Sequence, residues 1–120
     1  MDLRRMGREK TMPENREYLF AKKGNTEFLK IYLEDIYYIE TIKGTHYCKI
    51  QYKGGGVKIK SSIKDINEKL GNPFWKVKSS TIANLSLVTS VSYEYRILYF
   101  SEEIFCTFAT SSVKSIKGFF

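Results

Sequence analysis

His46 and Asn84 are the side chains of this 120-residue chain best equipped to read another molecule through hydrogen bonds. His46 follows "KGT" where a strand begins, so its imidazole can project from a turn beside the cationic Lys43 and bond a base edge or a phosphate. Asn84 closes "FWKVKSSTIAN", one step before an apolar run; a carboxamide there either satisfies the backbone in an Asx-turn or is presented for bidentate recognition of an adenine edge. Around these two lie cations and hydroxyls suited to phosphate oxygens: Lys43, Thr45, Lys78, Ser79, Ser80, Ser111, Ser112 and Lys114. Bond-making chemistry finds little support. One histidine, no HExxH, no Cys-x-x-Cys and no paired carboxylates in an apolar setting leave neither a nucleophile with its base nor a ligand set. The expectation is a non-enzyme with no cofactor, no metal and no small-molecule substrate. "GGG" at 54–56 lacks the Gly-Lys-Ser/Thr and helix of a phosphate loop and reads as a hairpin tip.

Charge narrows the partner. The formal net charge is +7, and residues 1–16, with five basic and three acidic side chains, account for only +2 of it. A domain carrying the remaining excess attracts polyanions, and nucleic acid or an anionic membrane face are the usual ones. No stretch approaches the ~18 apolar residues of a membrane span, and the first residues are charged where a signal peptide is apolar, so the expected location is the cytoplasm. Cys48 and Cys106 fall in apolar-alternating segments and read as reduced packing residues.

The elements that must hold these side chains are mostly strands. Short alternating runs of β-branched and aromatic residues occur at 18–23, 27–33, 36–43, 46–52, 57–61, 74–78, 87–94, 96–100 and 103–109, separated by turn signals at 24–25, 43–45 and 54–56. One segment differs. Within "SSIKDINEKLG", Ser62 suits an N-cap, Asp65 stands three residues on, Ile63, Ile66 and Leu70 share helical spacing, and Gly71 stops the run, so a helix is predicted over 63–70. The last ten residues suit one or two helical turns before Gly118. Residues 1–16 are polar and aperiodic and read as a flexible basic arm or linker remnant, with one folded domain over 17–120. The fold class expected is mainly β: an elongated, antiparallel, multi-sheet domain. Function then falls on the connections, at 43–46, 54–56, 79–84 and 110–112. The aromatics Phe20, Phe28, Tyr38, Phe74, Trp75, Tyr99, Phe100 and Phe105 fall on strand faces as expected core.

Taken in order, these segments resemble the LytTR family of bacterial DNA-binding domains. Where its signature reads F-x-R-[IVC]-[HR]-[RN]-S-[FY]-[IL]-V-N with a following V-x-x-I, the chain has Phe74, Lys76, Val77, Lys78, Ser79, Ser80, Thr81, Ile82, Ala83, Asn84, Val88 and Val91, Lys78 and Ser79 replacing the more usual His or Arg and Arg or Asn. "LEDIYYIET" at 33–41 resembles the family's "xxDIxYIE", "SSIKDINEKL" its short helix, and "RILYF" the strand before its closing hairpin; together they span about 17–117. The resemblance implies a transcription regulator whose strand-linking loops enter successive major grooves of double-stranded DNA. It further implies two copies on direct repeats, in a two-component response regulator behind a receiver domain or under a membrane-bound antagonist. Carried over, His46 and Asn84 are the base contacts, and Lys43, Thr45, Lys78, Ser79, Ser80, Ser111, Ser112 and Lys114 the backbone contacts. Ser111 stands nearest the place where many members have an arginine, and serine lacks the bidentate guanine contact worth roughly 1–3 kcal/mol of discrimination. That departure leaves open a protein-interaction module of the same fold; single-stranded RNA binding on aromatic faces is a third reading.

Overall fold

A computed structural model describes residues 3–10, 15–23 and 26–120, with side chains from 16–22 and 26 onward. Among the described residues there are eleven strands: β1 (Leu3–Lys10), β2 (Asn15–Lys23), β3 (Glu27–Tyr32), β4 (Ile36–Thr41), β5 (Tyr47–Tyr52), β6 (Gly55–Lys60), β7 (Phe74–Lys78), β8 (Thr81–Asn84), β9 (Ser90–Ser92), β10 (Ile97–Tyr99) and β11 (Phe105–Thr107). The α-helices among the described residues are α1 (Ile63–Lys69), between β6 and β7, and α2 (Val113–Phe119), after β11. The strands form three antiparallel sheets: β1-β2-β3, the central β6-β5-β4-β8-β7, and β11-β10-β9. The mainly β class expected from the sequence is the class observed. The molecule is broad and flat, 44 × 42 × 27 Å.

The central sheet has a core on each face. Ile39, Cys48, Ile50, Ile59 and Ile82 join Leu19, Ala21 and Ile31 of the first sheet and Ile63 and Ile66 of α1. On the other face, Val77 and Ala83 join Leu98, Phe100, Cys106 and Phe108, with Ile116 of α2. This arrangement explains one of the two strands, β1 and β8, that pattern reading misses. Residues 81–84 lie inside the expected 79–84 loop, yet they form β8, which sits between β4 and β7 and is buried at all four positions. A strand covered on both faces loses the polar-apolar alternation by which half-buried strands are recognised. Only Ser79 and Ser80 remain as the turn. The expected strand at 87–94 shortens to β9 because residues 85–87 make a 3-10 turn before it and residues 93–96 turn the chain into β10.

Helix α1 ends at Lys69, with the Ser62 hydroxyl accepting from the Asp65 N–H at 3.1 Å as its cap, worth about 1 kcal/mol. At the N-terminus, where an arm was expected, residues 3–10 pair with β2 in the register Gly7↔Tyr18; residues 1–2 and 11–14 lie outside those described. Of the eight aromatics assigned to the core, Phe74 and Phe100 are buried, whereas Phe28, Trp75 and Phe105 stay exposed. Cys48 and Cys106 are buried free thiols in the two different cores.

Candidate nucleic-acid interface

Strand pairing gathers four connections at one end of the central sheet. Strand β4 finishes at Thr41, whose N–H donates to the carbonyl of Ser80 at 2.9 Å, so the 42–46 turn lies beside the 79–80 turn. Tyr47, where β5 starts, pairs with Lys60, where β6 ends, bringing residues 60–62 to the same end. The link after β11 joins them through Val77, whose carbonyl accepts from the Ala109 N–H at 2.9 Å and from the Ser112 hydroxyl at 2.8 Å. Segments 42–46, 60–64, 78–80 and 107–115 contain Lys43, Lys60, Lys64, Lys78 and Lys114 and no Asp or Glu. Among the described residues none of these lysines forms an ion pair. Like charges gathered on neighbouring connections favour a polyanion as their counter-charge.

Individual side chains in this group divide into presenters and fasteners. The 42–46 turn needs Gly44, at φ +79°, to reverse the chain. Thr45 fixes its shape: the hydroxyl donates to the Ile42 carbonyl at 2.7 Å and accepts from the Tyr47 N–H at 3.1 Å. Lys43 and His46 are thereby left exposed on a braced turn. Beside His46, a shallow notch is lined by Thr45, Tyr47, Lys60, Ser61 and Ser62. Lys60 and Ser61, read from the sequence only as the end of the 57–61 strand, were not among the candidate contacts; the signal was the position of "KSS" at a strand end, visible only once β5 and β6 are paired. Ser79 and Ser111 are exposed. Lys78 reaches Thr107, its ammonium donating to the hydroxyl at 2.6 Å, and ties β7 to β11. Ser80 is half-buried against Thr81, the two hydroxyl oxygens 3.4 Å apart, and Ser112 is occupied by Val77. Lys114 is exposed on the first turn of α2.

Asn84 is the correction. It lies at the opposite end of the sheet, pairing with Phe74 where β7 begins, and is 1 % exposed. Its amide Nδ2 donates to the Ile36 carbonyl at 3.0 Å, while Oδ1 accepts from the Ser86 N–H at 3.1 Å and the Ser86 hydroxyl at 2.6 Å. The side chain caps the 85–87 turn and locks β8 to the start of β4, the Asx role that its sequence position also allowed. Buried with its amide and carbonyl both engaged, it has no surface to offer a base edge. His46, at the far end of β4, does not share a site with it.

Two thiols lie behind this surface, and burial pushes both up: Cys48, and Cys106 to about 12, where nearby Glu40 adds to the effect and Lys78 opposes it. They are inert packing groups at neutral pH. Among the described residues no group of three His, Cys, Asp or Glu is placed to hold a metal ion, and no helix is long and apolar enough to cross a membrane.

The profile of the LytTr DNA-binding domain matches residues 26–120, most of the chain and every element that builds the sheet end just described. The chain belongs to the LytTR DNA-binding domain family, whose general role is DNA binding in transcription regulation. No curated protein matches it.

Proposed function

We propose that this domain binds double-stranded DNA in the major groove with the connections at the basic end of its central sheet, as a sequence-specific transcription regulator. Lys43, Lys60, Lys78 and Lys114 hold phosphates, His46 reads a base edge, and Ser79, at the tip of the 79–80 turn, takes the second reading position vacated by Asn84. Thr45 and Ser112 act by bracing the turns, and Ser80 and Ser111 add hydroxyls for the backbone. The observation that carries this reading is the convergence of four acid-free connections on one end of a rigid sheet. Loops braced by a sheet keep their shape on binding, so less ordering entropy is lost. Two copies on direct repeats, cytoplasmic action and control by a receiver domain or membrane-bound antagonist are supported by the family resemblance.

The exposed aromatics favour duplex over single strands. Of the exposed aromatics borne by strands, Phe28 lies on the first sheet, Trp75 on the central sheet and Phe105 on the third, so no single sheet presents a row of exposed rings on which successive bases stack. The test is fluorescence anisotropy with random duplex and single-stranded probes at two salt concentrations. With four or five phosphates neutralised, log K should fall against log salt with a slope of about −4, and duplex should be preferred. No binding to duplex at low salt would instead support a protein-interaction module of the same fold.

A further inference from the structure

The β9–β10 hairpin ends in a four-residue tip, Tyr93, Glu94, Tyr95 and Arg96, which neither the sheet-end loops nor the candidate contacts include. Among the described residues, Tyr95 is the most exposed of the large hydrophobic side chains, at 68 %. Arg96 is the only non-glycine residue among those described with positive φ, at +55°, a conformation glycine or asparagine occupies with less strain. An arginine kept where the turn itself would prefer another residue points to work for the guanidinium. The tip is also held firmly. The Arg96 carbonyl accepts from the Phe108 N–H at 3.0 Å, the Tyr95 N–H donates to the Ser92 hydroxyl at 3.2 Å, and Tyr93 meets Phe108 edge-on at 6.2 Å. Residue 109 is in turn bonded to Val77, so two backbone hydrogen bonds connect Arg96 to the basic end of β7.

We propose that this tip is a second DNA contact, flanking the sheet-end loops, in which the Arg96 guanidinium and the Tyr95 hydroxyl bind backbone phosphates beyond the segment read by His46. The inference rests on the duplex-binding reading and extends its footprint past the 107–115 segment. Arginine suits the task because its planar fork donates to two phosphate oxygens at once. Lys117, whose ammonium lies 5.1 Å from the centre of the Tyr93 ring, adds positive field to the same flank. Glu94 opposes it, as an exposed carboxylate two residues from Arg96. That opposition supplies a test of sign, since a carboxylate facing phosphates weakens binding that its neutral isostere should strengthen.

Anisotropy with a 30-base-pair duplex is to be measured for the whole chain and for the Arg96→Gln and Glu94→Gln variants, each checked for folding by its thermal midpoint. Arg96→Gln should weaken binding roughly five-fold at low salt and make the salt slope shallower by about 1; Glu94→Gln should tighten it by a factor of about two. Unchanged affinity and slope in both folded variants, beside an unaltered chain that binds duplex, would overturn the tip contact and leave the loop reading standing. An unaltered chain that fails to bind duplex would overturn both.

Discussion

The two ends of the central sheet use similar residue types for opposite purposes. At the Asn84 end, polar groups are consumed internally: the carboxamide and Ser86 satisfy one another, and the charges pair, Arg16 with Glu34 at 2.6 Å and Lys53 with Asp35 at 3.8 Å. At the His46 end, the connections carry lysines and no carboxylate of their own, the nearest, Glu40 on β4 and Asp65 on α1, lying outside them, and hydroxyls such as Thr45 and Ser112 hold turns in place so that their neighbours face outward. Residue type alone therefore does not mark a binding surface; what marks it is charge left uncompensated on connections that the fold has made rigid.

Substitutions at the two ends should separate stability from binding. Asn84→Ala removes the side-chain partner of the buried Ile36 carbonyl and of the Ser86 N–H at the surface of the 85–87 turn and should cost about 1–3 kcal/mol of stability, read by denaturant unfolding, while the folded fraction keeps its affinity for duplex. A large affinity loss at unchanged stability would reverse the assignment of the two ends. Alkaline pH probes the packing between them. The Cys106 thiol is raised to about 12 in the folded chain, so its contribution is fully present below the unfolded value near 9 and is lost as pH rises through the folded one. Unfolding free energy should fall by up to about 1.4 kcal/mol per pH unit from pH 9 upward, with Tyr38, also raised by burial, acting in the same direction. Cys106→Ala should flatten that slope; an equally steep slope in the variant would place the loss elsewhere.

Smaller effects sharpen the contrast. His46→Ala, at an exposed position, should leave the thermal midpoint within about a degree and weaken specific duplex binding by about 1–3 kcal/mol, with less effect on random sequence. Lys53→Ala, removing an exposed pair at the far end, should change stability by less than about 0.5 kcal/mol and leave affinity unaltered.

How much of this was legible in the sequence follows from which signals are local. The α1 cap, the β5–β6 and β9–β10 hairpins and the turn before β5 depend on residues within a few positions of one another, and these were readable. Strand β8 was not: burial on both faces erases alternation, so Thr81–Asn84 passed for loop, and Asn84 was assigned to a surface it never reaches. Lys60 and Ser61 were missed for a related reason. Their place beside His46 depends on the register between β5 and β6, a long-range property that short motifs do not encode.

The central claim is that duplex DNA meets the His46 end of the sheet and not the Asn84 end. Residue-resolved NMR titration of the chain with a short duplex tests it without knowledge of the target sequence. Amide shifts should concentrate at 43–46, 60–62, 79–80 and 110–114 and leave 34–36, 53–55, 72–73 and 84–88 unmoved. Shifts clustered on the second set, with the first silent, would contradict the account.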